Sequence, residues 1–236
     1  MNTKTNDLKT NIIRNNKIIG GSILSLAFFI IVALAGGILY NYIFNINLQL
    51  WVILAGTLLD CALIIIILVF GHKMKAYILG PLASISMFLL GFYGLGYGIN
   101  QFVSSNELIK LTAIFFIPAA SMVLIGALAY FNVLKINKIT PIMITLFITM
   151  IILMLVSWFS SHQLIFTIIS GIGFLLTLCY MAIDWLIIIK FNNNFKKLTP
   201  EEQSISESIK WSIYFGYRLA FDYIYAFIYL SNFFGK

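Results

Sequence analysis

Apolar runs as long as a bilayer is thick recur along the whole chain, separated by only a few polar residues each time. They fall at about 18–44, 50–70, 76–99, 108–131, 141–159, 163–190 and 209–233. A helix needs roughly 20 apolar residues to cross the hydrocarbon core. The pattern therefore predicts an all-α, polytopic membrane protein of seven transmembrane helices over 18–236, after a polar, basic leader at 1–17. Of the 236 residues, 61% are hydrophobic and only 10% charged, where a soluble domain carries roughly 25% charged residues. The first apolar run is too long for a signal peptide and lacks a clear small-residue cleavage site.

The cations set the orientation. Lys4, Lys9, Arg14 and Lys17 lie in the leader, Lys73 and Lys75 after the second run, Lys135 and Lys138 after the fourth, and Lys190, Lys196, Lys197 and Lys210 after the sixth. The alternate connections hold only Lys110. Positive charge collects on the cytoplasmic side, which predicts a cytoplasmic amino terminus and an outer Lys236. The same dispersal explains the net charge of +7 without a nucleic-acid-binding face. Cys61 and Cys179 lie inside apolar runs and form no metal or disulfide pattern. Heavy use of Ile, Asn and Lys points to an AT-rich genome.

Three of the eight acids, Asp60, Asp184 and Asp222, fall within apolar runs. An ionised carboxylate at mid-membrane costs roughly 2.5–3.5 kcal/mol even on lenient scales, so such residues face the bundle interior and commonly mark an ion or proton path. A neutral acid in a helix–helix hydrogen bond is the plainer alternative. Spacing adds to the first reading. Tyr214, Arg218, Asp222, Tyr225 and Tyr229 follow steps of four, four, three and four, and so share one helical face; the face opposite reads as Phe, Ile, Leu and Ala. Gly173, Thr177, Tyr180 and Asp184 make a second stripe, and Thr57, Asp60 and Cys61 a third. Tyr214, Tyr225, Thr177 and Tyr180 are thus candidates to line a pore. Tyr residues also anchor helices at the membrane interface, a role that suits Tyr229 alone.

At about 1.5 Å per residue, Asp184 lies roughly 9 Å from the inner surface and Asp222 roughly 18 Å, so with some tilt the two could meet. Adjacent carboxylates share a proton, and their oxygens suit a hard cation such as Ca²⁺. Two side chains make a weak, transient site, as conduction needs. Arg218, one turn before Asp222, could pair with Asp222 or reach Asp184 and would compete with a cation. Gly91, Gly94, Gly96 and Gly98 close the third run and permit close helix approach or local unwinding. Thr199-Pro200-Glu201-Glu202 reads as the start of a short surface helix.

The run Leu219-Ala-Phe-Asp222-Tyr-Ile-Tyr-Ala-Phe-Ile-Tyr-Leu-Ser-Asn-Phe-Phe-Gly235 resembles the closing signature of the Bax inhibitor-1 family, and Tyr180-Met-Ala-Ile-Asp184 resembles its sixth-span motif. Asp60 falls where that family carries a second-span acid. The resemblance implies a seventh helix surrounded by the other six and a pH-sensitive calcium leak gated by an aspartate pair, here Asp184 and Asp222 with Asp60 near the pore. It also implies a multi-pass bacterial plasma-membrane protein without a cofactor, calcium being the permeant ion. Three positions depart from the family: Tyr225 stands where Asn is frequent, the second span's basic end is reduced to His72, Lys73 and Lys75, and Arg218 replaces a small or apolar residue. Arg218 is expected to latch the aspartate pair closed.

Other classes fit less well. With only His72 and His162, at separate loop ends, a zinc hydrolase lacks ligands. No Gly-x-Ser-x-Gly elbow occurs, and the last run has no internal Lys to hold retinal. A proton-coupled transporter could use the same buried acids, although no inverted repeat is evident. A non-conducting regulatory protein that binds partner helices is the remaining alternative.

Overall fold

A computed structural model of the chain describes residues 16–44, 50–159, 163–198 and 204–235, and among these it is all helical, with no strand. The helices are α1 (Lys17–Phe44), α2 (Leu50–Phe70), α3 (Ala76–Leu90), α4 (Gly96–Ser104), α5 (Leu108–Tyr130), α6 (Ile136–Phe159), α7 (Gln163–Phe195) and α8 (Ile205–Phe234). A 3₁₀ turn, Gly71–Lys73, follows α2, and a π turn, Gly91–Leu95, joins α3 to α4 in one continuous rod. The leader's Lys4, Asp7, Lys9 and Arg14, the Thr199–Glu202 helix start, His162 and Lys236 lie outside the described residues.

Six segments are long and apolar enough to cross a membrane: Lys17–Tyr40, Leu54–Lys73, Ala76–Ser104, Leu108–Tyr130, Ile136–Phe159 and Gln163–Phe195. Their outer faces carry apolar side chains, with Leu58 71% and Val123 72% exposed. That surface belongs in lipid, and the chain is a multi-pass membrane protein. The seventh expected span corresponds to α8, which has 30 residues but does not meet the same criterion of apolarity. The reason is its position: α8 packs against α1, α3, α5 and α7, so its polar side chains face protein.

Local chemistry sets the boundaries. α4 and α5 both end in an Asn with left-handed backbone, Asn106 and Asn132, each at φ 58°. In each case the next amide reaches back five residues, Glu107 to the Phe102 carbonyl at 2.9 Å and Val133 to Leu128 at 3.0 Å. This is the Schellman ending, in which Asn can replace Gly. α8 begins at Ser204, whose hydroxyl accepts from the Glu207 amide at 3.2 Å.

Three helices run further than the apolar runs imply. The rod through α4 continues past Asn100 to Ser104, α6 begins at Ile136 with Pro141 in its second turn, and α7 continues to Phe195. Lys is a good helix former and Asn costs a helix only a fraction of a kcal/mol, below about 0.7; their polarity marks the bilayer edge, not the helix end.

The glycine cluster serves both expected roles. Gly91 opens the π turn, and a β-carbon there would strike the Ala33 backbone on α1. One on Gly96 would strike the Tyr40 side chain, also on α1. α6 stands apart: it packs chiefly on α7, and Met150 is its one buried residue among those described.

Candidate functional site

The stripes on α7 and α8 face each other across a cavity of about 420 Å³. Thr177, Tyr180 and Asp184 enter it from α7, and Arg218, Asp222, Tyr225 and Tyr229 from α8. Leu68 of α2 and Phe147 and Met150 of α6 supply apolar wall. The two helices lie close because Gly173 leaves room for the Tyr229 ring, which a β-carbon would strike.

Arg218 and Asp184 form a two-pronged ion pair. Nε donates to Oδ2 at 2.8 Å, and Nη2 donates to Oδ1. The Asp184 side chain is 5% exposed and that of Arg218 25% exposed, so the pair lies at the cavity wall with its cation the wetter partner. The guanidinium sits 5.8 Å from the centre of the Tyr214 ring, whose hydroxyl donates to the Leu68 carbonyl at 3.1 Å. Tyr214 therefore positions Arg218 from outside the cavity and does not line it.

Asp222 is buried on the same wall, one turn beyond Arg218. Its Oδ2 is sequestered and has no hydrogen-bond partner among the described residues. A buried oxygen of this kind calls for a proton, a water or a cation. Asp184 and Asp222 thus share one cavity, but Arg218 engages Asp184. A cation would have to displace the guanidinium to be held by both acids. No three His, Cys, Asp or Glu side chains gather as a metal group among the described residues.

Asp60 lies elsewhere. It is 5% exposed, accepts from the Ser86 hydroxyl at 3.1 Å, and is linked through Ser86 to the Tyr217 hydroxyl at 2.9 Å. This chain joins α2, α3 and α8 and does not line the cavity. The expected third stripe is not a buried face, since Thr57 and Cys61 are exposed. Nor is the side of α8 away from Arg218 wholly apolar. Tyr217 is fully buried there, and Tyr223 donates to the Phe115 carbonyl at 3.1 Å. Sequence spacing passes over Tyr217 because it stands off the stripe on α8, and over Ser86 because α3 displays no such stripe. One of two Ser residues in an apolar run, beside Ser84, is the only available signal, and it is a weak one.

No family model matches the chain, and a search of curated proteins finds no match.

Proposed function

We propose that this protein conducts a cation across the membrane in the manner of the Bax inhibitor-1 family, with calcium the permeant ion and the Arg218–Asp184 pair as latch. In this reading α8 is the seventh span, the amino terminus is cytoplasmic and the membrane is a bacterial plasma membrane. The observation that carries it is the unpartnered Oδ2 of Asp222, buried in the cavity that also holds the ion pair. A buried acid oxygen left without a partner, on the wall of a cavity of about 420 Å³, is a place for a mobile ion. The alternation of Lys between connections supports the orientation.

The two aspartates then act in opposite senses. A proton on Asp184 weakens its hold on the Arg218 fork and favours opening. A proton on Asp222 removes the charge that draws a cation in and favours block. Net pH dependence is the balance of the two, which single amide substitutions separate.

The test is Ca²⁺ flux into proteoliposomes at pH 6 and pH 8. Arg218→Ala and Asp184→Asn are expected to raise the leak, and Asp222→Asn to lower it. Absence of flux from every variant, with each still folded, would overturn conduction and favour a non-conducting regulator. Proton movement without calcium would favour a proton-coupled transporter.

A further inference from the structure

A second cavity, of about 460 Å³, opens between α1 and α5. Its walls are apolar, with Ile30 on α1 and Met122 and Val123 on α5, and its floor includes Gly126 and Trp185. Trp185 is 8% exposed, and its indole Nε1 is buried without a hydrogen-bond partner. Buried indole N–H groups normally find an acceptor. The indole edge lies against α5 at Gly126, where a β-carbon would come within 3.2 Å of Nε1 and 2.9 Å of Cε2.

We propose that this cleft binds one phospholipid, an acyl chain along its apolar walls and an ester carbonyl accepting from Trp185 Nε1. Three observations favour that occupant. The cleft is rimmed by Ile23 and Phe131, 46% and 72% exposed, so its mouth is continuous with the membrane-facing surface. The donor needs an acceptor, and a neighbouring transmembrane helix has already committed its carbonyls internally, whereas lipid esters are free. The depth also fits. Gly126 stands one turn before the end of α5, and Trp185 five residues before Lys190. The donor is therefore roughly 6 Å from the end of α5 and roughly 8 Å from Lys190, where α7 turns polar, at about 1.5 Å per residue, the level of glycerol esters beneath a headgroup. At the same end of α5 and α7, Lys135, Lys138 and Lys190 line a separate pocket that has no acid in its lining, which places headgroup-attracting charge at the matching height.

The experiment is native mass spectrometry of purified protein exchanged into detergent with diester phosphatidylglycerol or its diether analogue, which lacks the carbonyls. Wild type is expected to retain one diester lipid per chain and to prefer it to the diether by about five-fold, the worth of one neutral hydrogen bond. Trp185→Phe, which keeps an aromatic side chain and removes the donor, is expected to abolish the preference. Val123→Trp, a change at an exposed position on the cleft wall, is expected to expel the lipid. Helical content and monodisperse elution certify each variant. An undiminished diester preference in Trp185→Phe would overturn the proposal, as would retention unchanged by Val123→Trp. So would folded wild type that holds no lipid, or a dimer disrupted by Val123→Trp in its place.

Discussion

Replacing Arg218 by Met strands the Asp184 carboxylate against the cavity wall. Opposite charges about 4 Å apart attract by about 4 kcal/mol at the effective dielectric near 20 that suits protein sites. Removing one partner of a buried pair commonly costs about 3–5 kcal/mol. Arg218 is one-quarter exposed, so the low end applies, and Arg218→Met should destabilise by about 3 kcal/mol. Asp184→Asn should cost less, about 1–2 kcal/mol, because the guanidinium it leaves can be hydrated from the cavity. With both changes together no buried charge is stranded, and the double variant should lie within about 2 kcal/mol of wild type. The coupling energy is then at least about 2–3 kcal/mol. Denaturant unfolding in detergent micelles, followed by near-ultraviolet circular dichroism, would measure all four corners of the cycle. Additive losses, with coupling below about 0.5 kcal/mol, would refute the reasoning and mean that the pair is solvated like one on a surface.

Ser86→Ala removes both links of the Asp60–Ser86–Tyr217 chain, and unfolding measurements should show a loss of about 1–3 kcal/mol, because two buried groups are left without their partner. Gly91→Ala forces α1 away from the π turn and should lower stability by about 1–3 kcal/mol. Gly20→Ala is its control: nothing lies within 4 Å of the new carbon, and thermal melting should show a gain of up to about 1 kcal/mol from helix propensity. Equal effects at the two glycines would mean that α1 and the π turn are not in close contact.

The stripe on α8 and the stripe on α7 were legible because a 3.6-residue period places Arg218, Asp222, Tyr225 and Tyr229 in line, and Thr177, Tyr180 and Asp184 likewise. Periodicity fixes which side chains share a helix face; it does not fix which helix that face meets. Hence the preference of Arg218 for Asp184, with Asp222 left over, needed three dimensions. The separation of Asp60 from the cavity has the same cause, since its partners Ser86 and Tyr217 come from two other helices. The helices outrun the apolar runs, to Ser104, from Ile136 and to Phe195, for a different reason. Hydropathy reports where lipid stops, and a helix stabilised by its own backbone hydrogen bonds continues into the polar zone.

The arrangement of α8 bears on how the molecule comes into being. Its broadest contacts are with α1 and α7, so the first and last described helices meet only after all those between have been synthesised. Until α8 arrives, the inward faces of α1, α3, α5 and α7 have no common partner, although α1 and the glycine-rich π turn can already close on each other. Membrane insertion can proceed helix by helix, but the interior of this bundle is completed in a single late event. A ribosome stalled before α8 would leave a set of inserted helices without a core, a natural substrate for membrane quality control.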